Sequence, residues 1–242
     1  MIETEALVPT KYGRMPCFTA CPDGAGPYPG VIIFMDAPGI REELRDHARR
    51  IAKHGYFCML PDLYYRLGTV RFDIPRRNDA MSAVIRASMA SLTIAGVMDD
   101  TGGLLAYLDG QERAKPGPVG CVGHCMSGPY AVAAAARFPR MRAAASLYGV
   151  NMVTDAPDSA HRLIAQVRGE LYLAFAETDP GVPPSVIPAL RTELERAGTK
   201  YTMETVPGTH HGYTFAVRPD YHPVGAEATW TKLFDLWDRN LR

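Results

Sequence analysis

Hydrophobic and polar positions change period several times along the chain, and each change marks an element. Residues 3–8 and 15–20 predict an opening antiparallel pair turned around Lys11-Tyr12-Gly13-Arg14. Val31-Ile32-Ile33-Phe34-Met35 is an unbroken apolar run, as expected of a central strand covered on both faces. From Glu42 to His54, the spacing of Leu44, Ala48 and Ile51 predicts a helix with one apolar face. Tyr56-Phe57-Cys58-Met59-Leu60 reads as the next strand, and residues 64–82, rich in Arg, Gly and Pro, read as irregular. One long helical stretch follows to about Asp109, weakened by Gly96, Gly102 and Gly103. Pro118-Val119-Gly120-Cys121-Val122 reads as a short buried strand and Pro129 to Ala136 as a helix. Strands are expected near 142–148, 170–176 and 201–206, with helices near 185–197 and 226–240. Alternating strands and helices predict an α/β fold: a mainly parallel central sheet, an antiparallel N-terminal hairpin and helices on both faces. No repeat or linker interrupts residues 1–242, which read as one domain.

Composition narrows the classes. The 47% hydrophobic and 21% charged content is that of an ordinary globular chain, and 242 residues suffice for a substantial core. Twenty-six basic side chains balance 26 acidic ones, so no electrostatic footprint for nucleic acid or an anionic membrane is expected. No apolar run approaches the ~20 residues needed to cross a bilayer. Met1-Ile2-Glu3-Thr4-Glu5 lacks the basic start and apolar core of a signal peptide, so the expected location is cytoplasmic. Five cysteines, an odd number, argue against a secreted disulfide framework. Cys17 and Cys21 are four apart, as are Cys121 and Cys125; neither pair has the gap of a common zinc site. No metal is expected, and packing is the plain reading of Cys17, Cys21, Cys58 and Cys121.

The chemistry concentrates in Gly123-His124-Cys125-Met126-Ser127-Gly128. A nucleophile flanked by small residues between a strand and a helix is the sharp elbow of an α/β-hydrolase, with cysteine where serine is usual. Its place at the start of a helix favours a thiolate. A buried, inert sulfur is the competing reading of Cys125. Ser127, with Cys125 two before it and Pro129 two after, lacks the elbow's glycine spacing. Asp179 follows the apolar strand ending at Ala176, and His210 and His211 follow the strand ending at Val206. Reactive groups of such sheets gather at the carboxyl ends of the strands. The chain order of nucleophile, acid and histidine is that of the α/β-hydrolase triad, with either histidine available on position alone.

The chain also resembles the dienelactone hydrolases (carboxymethylenebutenolidases) over nearly its whole length. The resemblance rests on Asp36-Ala37-Pro38-Gly39, Gly55-Tyr56, Pro61-Asp62-Leu63-Tyr64-Tyr65-Arg66, the Gly-x-Cys-x-x-Gly elbow, Tyr148-Gly149-Val150, Asp179 with Val182-Pro183, and His211-Gly212-Tyr213. It implies an α/β-hydrolase fold and hydrolysis of a small-molecule lactone or ester through an acyl-enzyme, without metal or organic cofactor. It selects His211 over His210 and makes Cys125 the nucleophile and Asp179 the residue that orients His211. It implies an oxyanion hole from the backbone N–H groups of Met126 and Ala37, and a thiol-activating role for Asp36, where the family carries glutamate. Substrate contacts are expected among Tyr64, Arg76, Arg77, Tyr148 and Tyr213. Of the arginines that the family uses to grip a substrate carboxylate, one is replaced by Phe215, with Arg218 the nearest arginine, and the other belongs to the stretch after Pro61-Asp62-Leu63-Tyr64, where Arg71, Arg76, Arg77 and Arg86 are available. A monomer or weak homo-oligomer is expected. The rival readings are a catalytically impaired ligand-binding protein of the same fold and a thiol redox protein, against which the lack of any Cys-x-x-Cys speaks.

Overall fold

A computed structural model describes residues 1–242, which form two compact units, Met1–Val119 and Gly120–Arg242. In the first unit, β1 (Ile2–Thr10) and β2 (Gly13–Cys21) make the expected antiparallel hairpin, with Thr10 paired to Gly13 at its turn. β3 (Tyr28–Phe34), α1 (Glu42–Lys53) and β4 (Phe57–Pro61) follow, and the strand order is β1-β2-β4-β3. β3 and β4 are parallel, whereas β2 and β4 are antiparallel. Val31 to Met35 are wholly buried, which is why that run carries no polar alternation. α1 buries Leu44, Ala48 and Ile51, places Glu42 and Glu43 in its first turn and Arg50 and Lys53 in its last, and so complements the helix dipole.

The long helix expected up to Asp109 is instead two, α2 (Asp79–Ala90) and α3 (Ile94–Asp109), which meet at 75°. The break lies at residues 91–93 rather than at a glycine. Thr93 adopts an extended conformation and its hydroxyl accepts from the Gly96 N–H at 3.1 Å, so α3 starts with its own cap. Gly103 serves close packing: a Cβ there would lie 2.6 Å from the Pro9 carbonyl oxygen of β1. No single helix is long and apolar enough to cross a membrane.

The second unit begins within β5 (Ala114–His124) and continues through α4 (Gly128–Arg137), β6 (Met141–Leu147), α5 (Ala160–Leu163), β7 (Glu170–Thr178), α6 (Val186–Ala197), β8 (Lys200–His210) and α7 (Pro223–Leu241). Its strand order is β5-β6-β7-β8, with β6, β7 and β8 pairing in parallel. α4 is Ala-rich and buried from Gly128 to Ala135, and small side chains let it lie close to the sheet. β5 carries Gly120 because a Cβ there would meet the Trp237 ring of α7 at 2.7 Å. β8 extends past Val206, where the strand expected from sequence ends: a register shift opposite Ala176 to Thr178 admits Pro207 and Gly208 and carries the ladder to His210. His210 therefore ends the strand, and His211 is the first residue of the turn beyond it.

Candidate active site

Cys125 sits where β5 hands over to a 3₁₀ turn, Cys125–Ser127, which leads into α4. Its φ is +55°, a conformation that costs a residue with a Cβ about 1–2 kcal/mol. Two glycines make the bend physically possible. A Cβ on Gly123 would lie 2.0 Å from the Ser127 carbonyl oxygen, and one on Gly128 would lie 2.4 Å from Ser146 Oγ and 2.6 Å from Gly149 Cα. The Gly-x-Cys-x-x-Gly spacing is thus a packing requirement of the turn. The Cys125 carbonyl accepts from the Gly128 N–H within the turn and from the Val150 N–H at 3.1 Å.

All five cysteines are free, and Cys125 alone is not buried. Burial pushes the thiols of Cys17, Cys21, Cys58 and Cys121 up, so at neutral pH they are protonated and inert. Cys125 instead has a hydrogen-bonding imidazole beside it. His211 hydrogen-bonds both Cys125 and Asp179, with its Nδ1 2.7 Å from Asp179 Oδ2. Burial on its own pushes the His211 imidazolium down. The hydrogen bonds to Asp179 and Cys125, and the charges on both, outweigh it and raise the group from 6.5 to about 10.

The turn after β7 fixes the acid. Asp179 is 3% exposed; its Oδ1 accepts from the Gly181 N–H at 2.9 Å and its backbone carbonyl from the Val182 N–H at 3.0 Å, which leaves Oδ2 directed at His211. The histidine turn is closed by Tyr213 N–H to the His210 carbonyl and Phe215 N–H to the Gly212 carbonyl. Gly212 has φ +85°, and a Cβ on it would meet Arg218 Nη1 at 2.5 Å. His210 is exposed, whereas His211 is three-quarters covered and paired with Asp179. Cys125, Asp179 and His211 thus come together within the second unit.

Other expected residues have different surroundings. Tyr148 and Tyr213 are wholly buried, and their hydroxyls hydrogen-bond Thr214 at 2.6 Å and Thr229 at 2.8 Å. Tyr64 is likewise buried, its hydroxyl donating to the Ala37 carbonyl at 2.8 Å. These three rings support the fold around their neighbours and present no surface to a substrate in this conformation. Phe215 is buried beside the His124 ring at 5.3 Å, and the Arg218 guanidinium lies over it at 4.6 Å. Met126, the residue after Cys125, is buried in the 3₁₀ turn.

In the first unit, Asp36 and Ala37 open a turn closed by the Gly39 N–H to the Asp36 carbonyl, with Gly39 at φ +74°. Asp36 is fully buried and held by Arg41 through both carboxylate oxygens, at 2.5 and 3.2 Å. Sequence reading missed Arg41; its position five residues after a buried acid was the available signal. Arg76 is 86% exposed and pairs with Asp73, Arg77 hydrogen-bonds Ser82, and Arg71 pairs with Asp62. No group of three or more His, Cys, Asp or Glu side chains comes together as a metal site.

Residues 15–241 match the model of the dienelactone hydrolase family. A provisionally assigned carboxymethylenebutenolidase from Methylorubrum extorquens is 27% identical over 99% of this chain and 81% of its own length. A second, from Synechocystis, is 28% identical over 99% of this chain and 97% of its own. The fold is that of the crystal structure of a provisionally assigned dienelactone hydrolase from Klebsiella pneumoniae, with TM-score 0.88, 23% identity and 98% of each chain covered. Strand order, parallel pairing and this likeness together make it an α/β-hydrolase fold.

Proposed function

Because the chain belongs to the dienelactone hydrolase family of ester and lactone hydrolases, we propose that it cleaves a lactone or carboxylic ester through Cys125, His211 and Asp179. The observation that carries this reading is one hydrogen-bonded line, Cys125 to His211 to Asp179, with its nucleophile in a left-handed turn. Cys125 Sγ attacks the carbonyl carbon and the carbonyl π pair moves to oxygen. The backbone N–H of Met126, next after the nucleophile, is the natural donor to that oxyanion. Collapse of the tetrahedral intermediate expels the alcohol oxygen, which takes a proton from the His211 imidazolium and leaves a thioester on Cys125. Neutral His211 then removes a proton from water, whose oxygen attacks the thioester. Expulsion of the thiolate gives the carboxylic acid and restores the starting pair. Asp179 holds His211 in the tautomer that presents Nε2 to the sulfur and stabilises its charged form.

The thiolate favours activated acyl groups. It is itself a good leaving group, so expelling an amine from the tetrahedral intermediate is hard, whereas an enol lactone or aryl ester already carries a good leaving oxygen. A carboxylate on the substrate would find Arg218 as the arginine nearest the histidine turn, packed against Gly212. Turnover of a panel of lactones and aryl esters, with and without a carboxylate, tests the reading together with mass-spectrometric trapping of the acyl-enzyme. The expected result is a mass adduct on Cys125 and loss of turnover in Cys125→Ala and His211→Asn. Wild-type turnover in either variant overturns the triad. Stoichiometric alkylation of Cys125 with no hydrolysis of any panel member overturns the enzymatic reading in favour of a binding protein.

A further inference from the structure

The short segment after β6 touches the mount of every member of the triad. The Val150 N–H donates to the Cys125 carbonyl at 3.1 Å. The Val150 side chain lies over Gly181, where a Cβ would meet its Cγ1 at 2.8 Å, and the Gly181 N–H is the group that orients Asp179. The Tyr148 ring stands edge-on to His211 at 5.2 Å between centroids, while its hydroxyl hydrogen-bonds Thr214, three residues beyond that histidine. Gly149 has no room for a side chain, since a Cβ there would lie 2.3 Å from Ser146 Oγ and 2.9 Å from Met152 Sδ.

We propose that Tyr148-Gly149-Val150 is a positioning bracket that sets the spacing of nucleophile, base and acid, with the Tyr148–Thr214 hydrogen bond as its grip on the histidine turn. Backbone strain is part of the device: Tyr148 has φ +40°, held by its own N–H donating to the Ala174 carbonyl of β7 at 2.6 Å. A residue held in that region, with its ring buried and its hydroxyl paired, keeps one orientation. The imidazole that packs on the ring is confined by it. Small displacements matter here because proton transfer between Cys125 and His211 needs hydrogen-bond contact, and a misplacement of about 1 Å costs on the order of 100-fold. Tyr148 is therefore a positioning residue for the proposed reaction, acting through His211 without touching substrate.

The inference rests on the triad reading, and the test separates the two. Tyr148→Phe and Thr214→Val each remove the same hydrogen bond from opposite sides while keeping shape. Each is expected to lower kcat about 10-fold with KM unchanged within about twofold, and the double variant to lose no more than either single one. In both, the alkaline limb of the pH–rate profile should move down from its position in the parent, because a loosened ring hydrogen-bonds Asp179 and Cys125 less well and the raised His211 group relaxes towards the ordinary histidine range. A merely structural hydroxyl pair would lower Tm and leave the pH profile and kcat unmoved. If Tyr148→Phe does not fold, Thr214→Val carries the test alone. Unchanged kcat and pH profile in folded variants, beside an inactive His211→Asn, overturn the bracket and leave the triad standing. Full activity in His211→Asn removes the triad itself.

Discussion

β7 carries a nearly buried carboxylate at each end, and the two have opposite characters. At its start, Glu170 is 4% exposed and is gripped by Arg239, Asn240 and Lys200. Just past its end, Asp179 is 3% exposed and faces His211. Burial is the same, so burial does not decide what a carboxylate does. The partners do. Arg and Lys keep their charge across the working range, so the cluster at Glu170 is a clamp between β7, β8 and α7. An imidazole can give and take a proton, so the pair at Asp179 can take part in chemistry. Their positions agree with this: functional groups collect at the carboxyl ends of parallel strands, and the other end is left to stability.

The sharpest way to break the comparison is to neutralise each acid in turn. If the proposed triad operates, Asp179→Asn is expected to lower turnover by about 10³–10⁴-fold, because His211 would lose the partner assigned to set its tautomer and stabilise its charge. Its thermal unfolding temperature should fall by no more than the Asp179–His211 pair contributes, a small effect beside the loss of turnover. A loss below about tenfold would mean that Asp179 does not serve His211. Glu170→Gln should do the reverse. Losing charge-assisted hydrogen bonds to Arg239, Lys200 and Asn240 is expected to remove roughly 2 kcal/mol of stability, read as a Tm lowered by about 4–8 °C, with kcat within twofold of the parent.

The pH signatures of the two ends should differ in sign. Burial pushes the Glu170 carboxyl up, but Arg239, Asn240 and Lys200 pull it further down, from 4.5 to about 2. The unfolded chain therefore binds the proton first, so this stabilisation is fully present above pH 4.5 and is lost as pH falls towards 2. His211 has its pKa raised from 6.5 to about 10, so its contribution is fully present below pH 6.5 and is lost as pH rises through 10. Denaturant unfolding of the parent, Glu170→Gln and His211→Asn across pH 3–10 reads both limbs. An acid limb that survives Glu170→Gln would assign that lability elsewhere.

The smallest effect is expected at a third carboxylate, on β8. Glu204 pairs with Lys232 while that lysine is 43% exposed, so solvent screens much of the attraction. Lys232→Met should change stability by less than about 1 kcal/mol, measured by urea unfolding. A larger loss would extend the clamp of β8 and α7 beyond Glu170.

Much of the fold was legible in the order of residues, and for a physical reason. Strands such as Val31 to Met35 are buried on both faces, and helices such as α1 on one, so the solvent boundary is written directly into the hydrophobic period. Local turn chemistry was legible too: the small residues around Cys125 mark a bend that larger ones would block. The elbow, the acid after β7 and the histidine after β8 therefore appear in the chain in recognisable order. The break between α2 and α3 was not, because Gly102 and Gly103 looked like the weak point and the Thr93 cap competed unnoticed.

Only the tertiary structure decided which partner each group meets. The sequence sets Glu170 and Asp179 at opposite ends of one strand, but it does not say which side chains they meet, since their partners lie 30 to 70 residues away along the chain. The same holds for Tyr148, which reads as a substrate contact until its buried hydroxyl is found on Thr214. Periodicity records how far a position is from water. Which charge, ring or proton stands beside it is fixed by strand register and helix packing, and those are properties of the folded chain.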